Sequence, residues 1–585
     1  MKKSCSILLL IVFIFVCPQF TLGQDPCNGK ITLDTQAKVN AFTQTKLEHK
    51  LVITGEDVTD LRPLHRLKEV QCLSITGSEA LRSLDGLDSL HTIHGTLEIY
   101  GNDSLIDIFA LRQISQVEKI DISYNKVLQD LSGLHHICGS IEELTIEGNW
   151  ALENLNDLSC LSQVAGEILI SRNHKLKNIG GLASIQNCVG FTFSYNTGMV
   201  HLDTLKNLNV EKRIDIWRND GLVSIGGFNE TTRLERLRFF ENGNLIEVSG
   251  FQKLYRASNL WIEKSYQLSD LQVFRNLTYV RSLSLITNIS SLTHIGGLGE
   301  YSSILIEGSD KLHNLVGIDT LTKVKELILS DLDSLTSLDD LKNLVEVETL
   351  EINSCDALKN LEGLSSLEKI TYKLGLDWNR NLATLEGLTS LKELGSDRTH
   401  RFPLQITSNK KLRDIEALGS IHYIRGIIIE NNTRLTGCCL LTKWFSLPFR
   451  EDLVKIHWNG YSCNRNSNYS YCDTTTTDTT STDTTVVDTV TPNPFDLDLD
   501  VTGISPIFPN PSNGPCSFYY SNPDQEDLQV EMYDPLGRRV NWNFDIPTDI
   551  SFGKKDIDFT GLAPGRYFIR LVGIESGAVH KFVLW

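Results

Sequence analysis

At 585 residues the chain is longer than one ordinary hydrophobic core can serve, so several domains or a repeat array are expected. Its formal charge of −18 provides no basic footprint for phosphate backbones or anionic lipid, which argues against nucleic-acid and anionic-membrane partners. Beyond the first two dozen residues, no segment has the roughly 18 uncharged apolar residues that a membrane-spanning helix needs.

Residues 1–23 read as an export signal: Lys2 and Lys3 precede the apolar run from Ile7 to Val16, and Thr21 and Gly23 flank a cleavage point before Gln24. Eleven cysteines remain in the mature chain, which suits an oxidising compartment, and the odd count leaves at least one thiol without an internal partner. Residues 24–50 are expected to form an N-terminal cap. There Thr32 or Asp34 would N-cap a short helix carrying Ala37, Ala41 and Phe42, and Cys27 and Cys72 are disulfide candidates.

From 51 to 436 the chain repeats. Short apolar-x-apolar strands start at Leu51, Leu73, Leu97, Ile120, Leu144, Ile168, Phe191, Ile214, Leu237, Leu260, Leu283, Ile304, Leu327, Leu350, Leu374, Leu404 and Ile427. Of the sixteen intervals, nine are 23 residues and four are 24, a regularity that scattered leucines do not produce. Five residues after the strand start, eleven turns carry asparagine: Asn102, Asn125, Asn149, Asn173, Asn196, Asn219, Asn242, Asn288, Asn379, Asn409 and Asn432. A buried amide at a bend supplies both donors and acceptors for backbone groups that no strand partner reaches, so an internal asparagine ladder is expected. Spaced leucines, often with a glycine, follow as in LKNIGGL and LKNLEGL. About six aliphatic side chains per turn contribute roughly 9–18 kcal/mol, against roughly 23–46 kcal/mol for ordering the backbone of one turn. One turn cannot fold alone, so the turns must stack into a quasi-one-dimensional rod, about 4.8 Å per turn and roughly 80 Å long.

The pattern of TLEIYGNDSLIDIFAL and ELTIEGNWALENLNDL resembles the receptor L-domain branch of the leucine-rich repeats, over most of residues 27–460. The resemblance implies a mainly β, right-handed solenoid of short parallel strands, here about 17 turns without a cysteine-rich interruption. Relatives bind partners too varied for a ligand to be carried over.

Strand alternation places the residues one before, one after and three after each strand start on one outward face. There Tyr195, Arg213, Trp217, Arg218, Arg236, Arg238, Phe240, Trp261, Glu263 and Tyr266 are expected to gather, whereas other turns carry mostly Ser, Thr, Asp and Glu. Aromatic rings flanked by arginine suit a sugar, an anionic glycan or a protein hot spot; ordinary surface scatter or cap packing is the alternative. The long interval from Leu374 to Leu404 predicts an extra loop near Ser396 to Phe402, with Arg398, His400 and Arg401 at its tip, serving recognition or merely tolerated.

Residues 437–472 read as a C-terminal cap around Trp444, Phe445 and Trp458, with two disulfides of open pairing among Cys438, Cys439, Cys463 and Cys472. Residues 473–500 form a Thr/Asp-rich linker. Asp473, Asp478, Asp483 and Asp488 recur every five residues, and the pattern resembles a bacterial O-glycosylation acceptor, with Thr474, Thr479, Thr484 and Thr489 as candidates beside a plain spacer. Residues 501–585 change to alternating strands such as LQVEMYD and RYFIRLV, consistent with a small Ig-like β-sandwich. In order, FPNPSNG, VEMYDPLGRRV, GLAPGRYFIRL and KFVLW resemble the type A sorting domain of the type IX secretion system. That resemblance implies a Bacteroidota source, engagement of the secretion machinery, export across both membranes, removal of the tail and frequent attachment to the surface. Trp585 stands where a basic residue is usual.

No HExxH, Walker, GxSxG or CxxC pattern occurs, so neither an enzyme nor a cofactor is expected. Glu143, Glu147 and Glu167 could face one another, but an acidic face is the ordinary outcome for this charge. Asp496, Asp498 and Asp500 alternate like a calcium loop, yet Val501 takes the place of the required glycine. The resulting expectation is a secreted or cell-surface recognition or adhesion protein without catalysis, with a structural coat component as the alternative.

Overall fold

A computed structural model describes residues 27–584 except 291–294, 397–400, 422–423, 446–452, 461–462, 464–502, 505–515, 522–527, 535–537, 547–551, 558–564 and 573–578. The export signal, the linker with its four threonines, Cys472, Arg398, His400, the Asp496–Asp500 triplet and Trp585 lie outside the described residues. The chain is mainly β, with about 18 turns of parallel β-solenoid. It divides into two compact units, Met1–Glu351 and Ile352–Trp585.

In the first unit each coil contributes one short strand, and neighbours pair in parallel with the predicted register: Ile168 beside Phe191, Phe191 beside Ile214, Ile214 beside Leu237 and Leu237 beside Leu260. Side chains at the strand start and two residues later are buried, as period-two alternation requires. The asparagine file is present and fully buried. Each backbone N–H donates to the next asparagine's Oδ1, as from Asn196 to Asn219 at 2.9 Å, and each Nδ2 donates to a carbonyl one coil back, as from Asn219 to Phe193 at 3.0 Å. The bend just before this position takes a positive φ, occupied by Gly101 and Gly148 but also by Tyr124, Arg172, Tyr195, Arg218, Glu241 and Lys264.

Asn288 departs from the expectation. Its coil runs 21 residues from Leu283 to Ile304, and the bend after its strand is one residue shorter than usual, so Thr287 takes the buried place, donating to the Ser265 carbonyl at 2.6 Å, and Asn288 is only half-buried. Ser78, Ser265 and Ser309 fill equivalent buried positions.

Behind the sheet, short 3-10 turns such as Ser132–Leu134 and Gly180–Leu182 recur, most entered through an Asp or Asn whose side-chain oxygen accepts from the backbone two residues on, as Asp130 from Ser132 at 3.1 Å and Asn178 from Gly180 at 2.6 Å, with the Ser337 hydroxyl serving Asp339 in the same way. Gly181 is required here, since a Cβ would sit 1.7 Å from the Leu155 carbonyl oxygen. Between Gly180–Leu182 and Gln272–Phe274 no such turn occurs among the described residues; a two-stranded pair, Ser224–Ile225 with Glu247–Val248, takes its place. These coils enclose Phe191, Phe193, Phe228, Phe239 and Phe251, all fully buried, with centroid distances of 5.2 Å for Phe191 to Phe228 and 5.3 Å for Phe228 to Phe251.

The N-terminal cap differs in detail from expectation. Thr32 lies in the strand Lys30–Leu33, which pairs with Lys46–Thr54, and the helix Gln36–Asn40 is capped by Thr35, whose hydroxyl accepts from Lys38 N–H at 3.3 Å. The helix buries Val39. Cys27 and Cys72 are bonded. A second bridge, Cys138–Cys160, was not anticipated; its separation of 22 residues is about one coil, which sets the two cysteines on adjacent turns.

In the second unit, Leu374 pairs with Leu404, Leu404 with Ile427 and Ile427 with Val454. The last pairing lies within the cap expected at 437–472 and adds one strand to the sheet there. Val454–His457 is a further solenoid strand, and Asn459 extends the file, accepting from Asn432 N–H at 3.1 Å. The helix Leu440–Phe445 buries Trp444, which donates from Nε1 to the Ile421 carbonyl at 3.3 Å, whereas Trp458 is exposed. Cys438 pairs with Cys463, and Cys439 is also disulfide-bonded. In the long interval, Glu393–Leu394 forms a short strand, and Arg401 lies 5.5 Å from the Phe402 ring centroid. The tail contains two antiparallel sheets, one ordering Gly503–Ile504, Cys516–Ser521 and Phe552–Ile557, the other Arg539–Ile546, Leu528–Tyr533, Gly565–Val572 and Val579–Leu584.

Candidate outward sheet face and sorting tail

The strands Asn209–Trp217, Arg233–Phe240 and Arg256–Glu263 bring most of the expected cluster together. Arg213 lies beside Arg236, Asp215 beside Arg238 and Trp217 beside Phe240; on the next strand, Trp261 adjoins Arg238 and Glu263 adjoins Phe240. Trp217, Phe240 and Trp261 are half-buried with their rings on the outward side. Tyr266 is not among them: it follows the bend at buried Ser265 and is 51% exposed, beyond the end of its strand.

Charge on this face is mostly neutralised locally. Arg236 pairs with Asp215 at 2.6 Å, and Arg213 with Glu167 at 3.1 Å. Burial raises the Glu167 pKa despite Arg213, with Glu143 adding to the rise. Arg238 instead lies 4.4 Å from the Phe240 ring centroid. Trp261 donates to the Ser282 hydroxyl at 3.2 Å, and Ser284 donates to Glu263 at 2.8 Å.

Along the margin, the side chains at the positive-φ bends interlock. Arg172 donates to Tyr124 Oη at 2.9 Å, Arg218 donates to Tyr195 Oη at 2.5 Å and pairs with Glu241, and Lys264 reaches Glu241 at 3.1 Å. Burial, the largest single influence on Glu241, favours its neutral form, but the combined bonds from Arg218 and Lys264 prevail and lower its pKa. Tyr195 meets Trp217 edge-on at 4.8 Å. The sequence analysis named Tyr195 and Arg218 but missed Arg172, Glu241 and Lys264, which hold the same bend position in neighbouring coils. It also missed that Ile286, Leu305 and Ile328 continue the outward rows.

Of the three glutamates considered together, Glu143 acts on Glu167 by charge, and each of the other contacts is local. Glu147 accepts from Tyr124 at 3.0 Å and Glu143 lies 3.8 Å from Lys119. Nearby Asp121 has its pKa raised, first by burial and also by Glu98, Glu147 and Glu143, against a hydrogen bond from Ser123. A carboxyl with a raised native pKa binds more protons folded than unfolded, so it detracts from stability above that pKa and not below the ordinary carboxylate range. Asp121→Asn should therefore raise the thermal midpoint at about pH 7 and lose that gain by about pH 3, where Asp121 itself is protonated. An equal gain at both pH values would contradict this assignment. Among the described residues, no group of His, Cys, Asp and Glu has a metal-binding arrangement. Burial pushes the Cys188 thiol pKa up, leaving it unreactive.

Residues 506–584 match the family described as the secretion system C-terminal sorting domain. The tail is a type IX sorting domain. It directs the chain through that secretion system to the cell surface or the medium. No helix among the described residues is long and apolar enough to cross a membrane. No curated protein matches the chain.

Proposed function

We propose that the exported chain is a non-catalytic recognition or adhesion protein of Bacteroidota, a leucine-rich solenoid of the receptor L-domain type that binds a protein or glycan on its outward sheet face, carried by an Ig-like sorting sandwich. The observation carrying this reading is that Trp217, Phe240 and Trp261 stand on three adjacent strands with their rings outward, in a chain of −18 charge that needs no such rings for solubility. Exposed aromatic side chains bring large contact area at low entropic cost, and arginines beside them orient a polar ligand.

Binding of the full chain to glycan arrays and to intact cell surfaces tests it. The double variant Trp217→Ala/Trp261→Ala is expected to lose on the order of tenfold or more in retention at unchanged folding. Unchanged retention, or none by the parent chain, would favour a coat component without a discrete ligand.

A further inference from the structure

We infer that the face formed by Trp217, Arg238, Phe240 and Trp261 binds an acidic polysaccharide; this rests on the recognition reading above and narrows its ligand. Arg213, Arg218 and Arg236 are each paired with a carboxylate, from Glu167, Glu241 and Asp215. Arg238, at the centre of the same cluster, is paired with no described carboxylate. It is half-buried over Phe240, and its Nε is buried without a hydrogen-bond partner. Asp215 is in register beside Arg238, but its carboxylate bonds Arg236, so the Arg238 guanidinium has the Phe240 ring and no ion pair of its own, and a partly desolvated guanidinium gains from an added anion.

The surroundings select a sugar over a peptide. Trp217 and Trp261 lie on the strands either side of Arg238 and two residues apart in register, so a diagonal of roughly 12 Å separates them across the sheet. That span suits two sugar rings with one ring between them, whose C–H faces stack on aromatic rings while a carboxylate or sulfate on the intervening ring meets Arg238. A peptide would bind by adding a strand or by filling an apolar groove. The strands here are already paired on both sides, which leaves no free edge for an added strand. The Oδ1 of Asp215 and the Nε of Arg236 are also buried without partners beside Arg238.

Isothermal titration of the full chain with polygalacturonate, hyaluronan and a sulfated galactan, and with methyl-esterified polygalacturonate as the neutral counterpart, tests the inference. At least one acidic polymer should bind, with affinity falling as salt is raised. Arg238→Gln should weaken that binding on the order of ten- to a hundredfold, the esterified polymer binding weakly to both proteins. Equal affinity for the acidic and esterified polymers, unchanged affinity in Arg238→Gln, or no binding to any acidic polymer would overturn it. The esterified polymer serves as a ligand-side control should the variant fail to fold. Retention on cell surfaces that still depends on Trp217 and Trp261 in such a case would leave the recognition reading standing, whereas retention independent of both would remove that reading as well.

Discussion

Asn219→Ala is expected to destabilise the fold by about 2–6 kcal/mol, because one substitution orphans two buried backbone groups at about 1–3 kcal/mol each. The Asn196 N–H loses its acceptor at 2.9 Å and the Phe193 carbonyl loses its donor at 3.0 Å, in an interior where no water replaces them. Denaturant unfolding measures the loss, and amide exchange at Asn196 should rise first. Asn244→Ala provides the comparison: its side chain donates to the Asp220 carbonyl at 2.7 Å but is exposed, so water takes over and the cost should stay below about 1 kcal/mol. Equal costs for the two variants would refute the account of the file.

The second large effect is expected in the aromatic interior. Phe251 is fully buried, with ring centroids 5.3 Å from Phe228, 6.0 Å from Phe239 and 6.4 Å from Phe274. Phe251→Ala removes the ring shared by three others and should cost about 3–5 kcal/mol, since coils pinned by their neighbours cannot collapse onto the void. Phe251→Leu keeps more of the volume and should cost clearly less. Because Phe239 lies between Arg238 and Phe240 on one strand, Phe251→Ala should also shift tryptophan fluorescence from the outward face. A cost no larger for alanine than for leucine would mean that the ring cluster is not a packing unit.

Much of this was legible from periodicity alone. Strand starts, register and most of the asparagine file follow from spacing, because a coil's interior position is fixed by counting from its neighbour. Counting fails where a coil changes length: the shortened coil at Leu283 moves Thr287 into the place expected of Asn288. It also stopped one coil early, since the cysteines around Val454–His457 suggested a lid and hid the asparagine at Asn459. The outward cluster was recoverable by alternation, but Tyr266 was not excluded, because a bend interrupts alternation without a sequence mark. Composition misled more subtly. Part of the acidic excess is internal bookkeeping of the turns: Asp60, Asp107, Asp130 and Asp270 each hold a backbone N–H at the start of a 3-10 turn, and so do not merely decorate a surface.

Each asparagine in the file interacts only with the coils directly before and after it. A stretch of gene encoding one whole coil can therefore be duplicated or lost while the joined ends still present the same donors and acceptors to each other. Array length is then free to drift between lineages while the outward residues of individual coils diversify independently of it.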